Sequence, residues 1–230
     1  MRRRTGAVCL LLCCLLMLMP IAAAAGGDSS IVFHANENHE DKIALTFDDG
    51  PHPRYTPQIL AILRKYGVHA TFFVIGQNVE YYPELIGQIL ADGHEIGNHT
   101  YDHGRMSTQT SAQIKEEILR TESAIYELSD YRTKLLRPPE GMLNEQVIAA
   151  AGELDYRVIL WNIDTRDWDH TPSDEIAAHI LHEVKSGDII LMHDYIGRES
   201  PTPAALEIVI PALIEAGYRF VGISELLGSK

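Results

Sequence analysis

The sequence predicts an α/β domain built on a parallel sheet, and three observations lead there. Short β-rich segments alternate with helical patterns along most of the chain, an order that favours parallel strands joined by helical crossovers. About 200 residues remain after a leader-like N-terminal segment, enough for one domain with a full core. The polar clusters fall directly after, or at the end of, the β-rich segments, and parallel barrels gather their functional groups at the C-terminal ends of strands.

The β-rich segments are Ile43–Phe47, Ala70–Val74, Glu95–Asn98, Leu135–Arg137, Tyr156–Trp161, Asp188–Met192 and Arg219–Gly222. Helical patterns occupy Pro57–Tyr66, Pro83–Asp92, Ser111–Ser129, Asn144–Ala151, Ser173–Val184 and Ala204–Ala216. In Ser111–Ser129 the apolar residues Ile114, Ile118, Ile125 and Leu128 recur at helical spacing. Ser111, and Ser173 after Pro172, have the chemistry of N-caps. From these patterns alone the sheet is either open or closed into a barrel. No repeat, low-complexity tract or second-domain boundary interrupts it.

The chain opens with Arg2, Arg3 and Arg4, then an apolar run from Ala7 to Met19, then small residues to Gly27. A basic start, a short apolar centre and a small-residue end describe a secretory signal over residues 1–25; the run is short for a membrane span, which takes about 20 residues. An uncleaved anchor is the alternative reading. Residues 26–41 read as a linker, and 42–230 as the catalytic domain. Cys9, Cys13 and Cys14 all lie in the leader, so the secreted domain has no disulfide and no cysteine-ligated metal. The formal charge of −13 makes nucleic acid and anionic lipid poor partners, and no interface signal argues against a monomer.

The first chemical motif is Thr46-Phe47-Asp48-Asp49-Gly50-Pro51. Two adjacent carboxylates at a strand end are costly unless a cation or a proton separates their roles; read alone, Asp-Asp-Gly-Pro is also good turn chemistry. The second is His99-Thr100-Tyr101-Asp102-His103. Histidines at i and i+4 share a face if the stretch is helical and could grip one metal; otherwise they are two surface histidines. With Asp49 they would make a two-histidine, one-carboxylate set that suits zinc and also iron, cobalt or manganese. The third is Arg137-Pro138-Pro139-Glu140-Gly141, a stiff loop that could aim an N–H at an oxyanion or simply connect. The last two are Asp164-Thr165-Arg166-Asp167-Trp168 and Leu191-Met192-His193-Asp194. A carboxylate beside His193 would make it a proton donor.

The order of these motifs resembles the polysaccharide deacetylases with a NodB-homology domain, carbohydrate esterase family four, over about Ile43 to Leu227. The resemblance implies an irregular (β/α) barrel of about seven parallel strands. It implies hydrolysis of N-acetyl groups from an amino-sugar polymer, either peptidoglycan or a chitin-like N-acetylglucosamine polymer. Asp48 would then be the general base, with Asp49, His99 and His103 as ligands of a divalent metal, Zn2+ first, with Co2+ or Mn2+ as alternatives. His193 would be the general acid, and Asp167 would orient it. Arg137 would pair a carboxylate, either Asp48 or Asp167. Trp168 and Leu191 would receive the acetyl methyl group, and Pro139 and Glu140 would line the substrate groove. Glu140 stands where that family usually carries an aromatic residue. His52 and His94 sit beside the motifs as supporting residues. A metal-dependent amidohydrolase of a small amide and a non-catalytic sugar-binding homologue are the rival readings.

Overall fold

In the computed structural model the described residues are 31–34, 41–197 and 199–228. The expected signal segment, and most of the expected linker, lie outside them. Nine strands form one sheet: β1 (Ile31–Val32), β2 (Lys42–Gly50), β3 (Thr71–Val74), β4 (Glu95–Asn98), β5 (Leu135–Leu136), β6 (Arg157–Ile159), β7 (Ile163–Asp164), β8 (Ile189–His193) and β9 (Arg219–Phe220). The helices among the described residues are α1 (Thr56–Tyr66), α2 (Gly76–Tyr81), α3 (Pro83–Ala91), α4 (Ser111–Ser129), α5 (Glu145–Glu153), α6 (Ser173–Glu183), α7 (Thr202–Glu215) and α8 (Ile223–Leu226).

Every strand pair is parallel, in the order β1-β6-β5-β4-β3-β2-β8-β7, with β9 added to the start of β2. The sheet curls into the irregular (β/α) barrel that the motif order implied. β2 is its pivot: the chain winds outward through β3, β4, β5 and β6 on one side, then returns to place β8 on the other. The C-terminal end of β2 is therefore where the winding reverses, and such a point leaves a crevice for a ligand.

Alternation along β2 separates two apolar environments. Ile43, Leu45 and Phe47 pack outward with Ile59, Leu63, Val209 and Ile210 of α1 and α7. Ala44 shares the interior with Phe73, Ile159 and Ile189. Interior space is tight. A Cβ at Gly97 of β4 would collide with Cδ1 of Phe73, which explains a glycine in mid-strand.

The structure corrects several expectations. β1 lies inside the stretch read as linker, and β7, α2 and α8 were not anticipated; all are six residues or shorter and carry no readable period. Thr110 rather than Ser111 caps α4, in a capping box with Gln113. Pro172 precedes α6, and no side chain caps that helix. Leu128 faces solvent at 48 % exposure, whereas Ile114, Ile118 and Ile125 are buried.

We expect Gly97→Ala to destabilise the fold by about 1–3 kcal/mol, the usual cost of overfilling a packed core. Urea denaturation measures it.

Candidate active site

Two adjacent residues on a regular strand point to opposite faces, so Asp48 and Asp49 need a local irregularity to serve one cavity. β2 supplies it. The register with β3 slips between Asp48 and Gly50, and Asp49 adopts φ 71°. This is a β-bulge, the device that re-aims side chains beside functional sites. The Asn78 side chain donates to the Asp49 carbonyl at 2.9 Å, and the Ile75 N–H donates to the Gly50 carbonyl at 2.9 Å.

The two carboxylates then part company. Asp48 is 3 % exposed, and its Oδ1 accepts from Arg137 Nη1 at 2.8 Å. This resolves the choice left by the sequence: Arg137 pairs with Asp48 and not with Asp167. The guanidinium is fully buried. It also donates to Thr46 Oγ1 at 2.8 Å and to the carbonyls of Ile159 and Leu160 at 3.1 Å each, and it stacks 4.1 Å from the Phe73 ring centroid. Burial pulls its pKa down while Asp48 holds it up.

Asp49 faces histidines instead. Its Oδ1 lies 3.4 Å from His99 Nε2 and 3.2 Å from His103 Nε2. The pair does not sit on a helix, as its spacing suggested. Thr100 (φ 68°) and His103 (φ 60°) are left-handed, so the stretch is a loop after β4. Glu117 on α4 accepts from the N–H groups of Tyr101 (2.9 Å) and Asp102 (3.1 Å) and pins that loop. Burial pushes the Asp49 carboxyl up, but the contacts with His103 and His99 outweigh it and hold it well below the usual range. The same contact with Asp49 raises His103 against the opposing effect of burial.

Asp49, His99 and His103 are the one group among the described residues that could hold a metal ion, with their donor atoms within 4.8 Å of one another. The donor set fits a divalent cation on two further grounds. Asp49 Oδ1 is buried yet makes no aligned hydrogen bond. His99 Nδ1 donates to the Arg137 carbonyl at 2.7 Å, which fixes the tautomer with the Nε2 lone pair toward Asp49.

His193, at the end of β8, sits in register beside Asp48. Its Nδ1–H donates to Asp167 Oδ1 at 2.8 Å and its backbone N–H to Asp167 Oδ2 at 2.7 Å. Thr202 Oγ1 donates to the same oxygen at 2.7 Å. Burial would lower the His193 pKa, but the bond to Asp167 and the charges of Asp167, Asp48 and Asp49 prevail and lift it to about 9.

These groups open onto a cavity of about 470 Å³, walled by Trp161, Trp168, Leu191, Asp164 and Glu140. A larger concavity, about 670 Å³ along α4, holds no metal-ligating set. Glu140 (φ 57°) reaches the cavity rim and pairs with Arg105 at 3.2 Å. Gly141 must be glycine, because a Cβ there would lie 2.7 Å from the Trp161 ring at φ 64°.

Pro139 is buried behind that loop and does not wall the cavity. His94 is also misplaced by its sequence position. It precedes β4, at the opposite end of the strand from His99, where it is 5 % exposed against Phe72 and His69. His52 stacks on Tyr195, with ring centroids 4.1 Å apart. Sequence reasoning gave no role to Trp161, Asp164, Glu117, Thr202 or Asp194. Asp164 and Asp194 had a signal, their places in the quoted Asp164–Trp168 and Leu191–Asp194 motifs. Asp194 is fully buried, and desolvation with the nearby Asp49 and Asp48 pushes its carboxyl up to about 7.

A (β/α) barrel that places a carboxylate–imidazole ligand set beside a separate carboxylate and a separate histidine has the parts of a hydrolase. The polysaccharide deacetylase profile matches residues 35–159. A peptidoglycan-N-acetylglucosamine deacetylase of Bacillus cereus is 44 % identical over 84 % of this chain and 91 % of its own length. The crystal structure of the Bc1960 peptidoglycan N-acetylglucosamine deacetylase, in complex with 4-naphthalen-1-yl-N-oxidanyl-benzamide, superposes with a TM-score of 0.85 at 33 % identity, covering 88 % of this chain and 95 % of that one. A family 4 acetyl xylan esterase from Clostridium thermocellum, in complex with a cobalt ion, gives a TM-score of 0.76 at 34 % identity over 82 % and 93 % of the two chains. The chain belongs to the polysaccharide deacetylase family.

The charge arrangement is testable without substrate. In the metal-free protein, NMR should place the His193 imidazole titration near pH 9. Asp167→Asn should lower it, because burial is then opposed only by the charges of Asp48 and Asp49. A folded value above the unfolded one contributes stability in full below about pH 6.5, lost as pH rises through about 9. The wild-type protein should therefore lose more stability across that window than Asp167→Asn.

Proposed function

We propose that this chain hydrolyses the N-acetyl groups of N-acetylglucosamine in peptidoglycan, with a divalent cation held by Asp49, His99 and His103. The observation that carries the reading is the division of two neighbouring carboxylates: Asp48 Oδ1 meets Arg137 at 2.8 Å while its Oδ2 stays 3.7 Å from His99, and Asp49 Oδ1 lies nearer both histidines, at 3.4 and 3.2 Å. One is left free to move a proton while the other serves the cation. The Bacillus cereus relative supports the polymer, and the cobalt-containing relative supports the cation. Zinc is the first expectation for the metal, since two imidazoles and a carboxylate form an open catalytic zinc set.

Such a cation supplies Lewis acidity, acidifying water and polarising the acetamide carbonyl. The side chains do the rest. Asp48, held in place by Arg137, takes a proton from the water whose oxygen attacks the carbonyl carbon. His193, kept protonated by Asp167, gives a proton to the sugar nitrogen as the C–N bond breaks. One water is consumed, and acetate and a free amine leave. Leu191, Trp161 and Trp168 give the acetyl methyl group an apolar seat and exclude bulk water. The catalytic domain takes in β1 as well as the elements from β2 to α8. The basic, then apolar start of the chain supports export to the cell wall. Among the described residues no helix is long and apolar enough to cross a membrane.

The test is acetate release from peptidoglycan by protein stripped of metal and reloaded with zinc or cobalt. We expect metal to restore release. Asp48→Asn should bind cobalt yet lose about 10²–10⁴-fold in turnover, the usual share of a general base, whereas His99→Ala should lose cobalt binding as well. Turnover should also decline at alkaline pH, as His193 gives up its proton. Equal turnover in Asp48→Asn and wild type would remove Asp48 from the role of base.

A further inference from the structure

Asp194 follows His193 in sequence, yet it does not itself line the cavity. Both its position and its bonds point back at the bulge. Its backbone N–H donates to the Asp48 carbonyl at 3.0 Å. Its Oδ2 accepts from the Thr56 hydroxyl, and that hydroxyl accepts the His52 N–H at 2.7 Å. The chain therefore closes a ring: Asp48, Gly50 and His52 leave β2, Thr56 opens α1, and Asp194 ties the two together from β8. Inside the ring the carboxylate presses on Gly50 so closely that a Cβ there would collide with its Oδ2 and Cγ. Both Asp194 and Thr56 are 0 % exposed.

The second carboxylate oxygen is the telling atom. Asp194 Oδ1 is buried with no hydrogen-bond partner. A buried, half-satisfied carboxyl wedged under a bulge marks a place where geometry is held at the expense of stability.

We propose that Asp194 is a positioning residue for the Asp48–Asp49 pair: wedged beneath Gly50 and tied to Thr56, it holds the bulge that turns both carboxylates into one cavity. It acts through the backbone and touches neither substrate nor metal. The inference rests on the metal-dependent deacetylase reading above, and its test separates the two.

The experiment measures cobalt affinity, by the visible absorption of the Co(II) complex, and acetate release on peptidoglycan fragments. Wild type, Asp194→Ala, Asp194→Asn and Thr56→Val are compared. In Asp194→Ala we expect cobalt affinity and kcat each to fall about 10–100-fold, as for other groups that support metal ligands from behind, with KM nearly unchanged. Asp194→Asn keeps an oxygen for the Thr56 hydroxyl and should recover most of both. Thr56→Val, which removes the donor to Asp194 together with the acceptor of the His52 N–H, should weaken both in the same direction. Asp194→Ala with wild-type cobalt affinity and kcat would overturn the proposal. If that variant does not fold, unchanged values in Thr56→Val overturn it instead. A wild-type protein that binds cobalt but releases no acetate would defeat the deacetylase reading while the cobalt arm still judges Asp194.

Discussion

Arg137 and Asp48 form an ion pair sealed inside the barrel, and much of the site is arranged around it. The guanidinium reaches from the end of β5 across the interior to Thr46 and Asp48 on β2 and to the carbonyls of Ile159 and Leu160 at β6. Its own carbonyl accepts from His99 Nδ1. A single residue therefore holds one carboxylate and sets the tautomer of His99. Replacing such a pair with apolar residues is often tolerated, but removing one partner leaves a bare buried charge at a cost of about 3–5 kcal/mol. The pair ties fold to chemistry: the group that closes the barrel interior also holds Asp48 at the cavity wall.

The bulge at Asp49 is the complementary constraint. Without the slip between Asp48 and Gly50, one of the two carboxylates would face the helices that pack on β2. With it, adjacent residues serve one cavity in different states. Asp49 is drawn toward His99 and His103, while Asp48 is held by Arg137. The place is set by topology, since β2 is where the winding of the sheet reverses and β8 brings His193 in register beside Asp48. Asp167 then fixes His193 from behind, with both its oxygens engaged by His193 and one also by Thr202.

Much of this was legible in the sequence because the motifs are local and end strands. The alternation of β-rich and helical segments gave the parallel sheet, and Asp48, Asp49, His99, His103 and His193 meet in the structure as their motifs suggested. What escaped has physical reasons. The two-residue strands Ile31–Val32 and Ile163–Asp164 carry no period, and their pairing is decided by tertiary contacts. The i, i+4 spacing of His99 and His103 suggested a helix, but left-handed residues at Thr100 and His103 make a loop that still brings the rings to 5.1 Å. Arg137 had two acidic candidates, and only three-dimensional packing chooses Asp48. Glu117, Thr202 and Trp161 reach the site across long sequence separations, so nothing near them in the chain announces it. Glu140 was legible as a charge at the groove, but its pairing with Arg105 was not.

The division of labour between Asp48 and Asp49 is the central claim, and a cobalt-soaked crystal with anomalous scattering measured at the cobalt edge tests it most directly. The account predicts one strong peak bonded to Asp49, His99 and His103, with Asp48 still on Arg137. A cation bridging both carboxylates, or one that draws Asp48 away from Arg137, would contradict it.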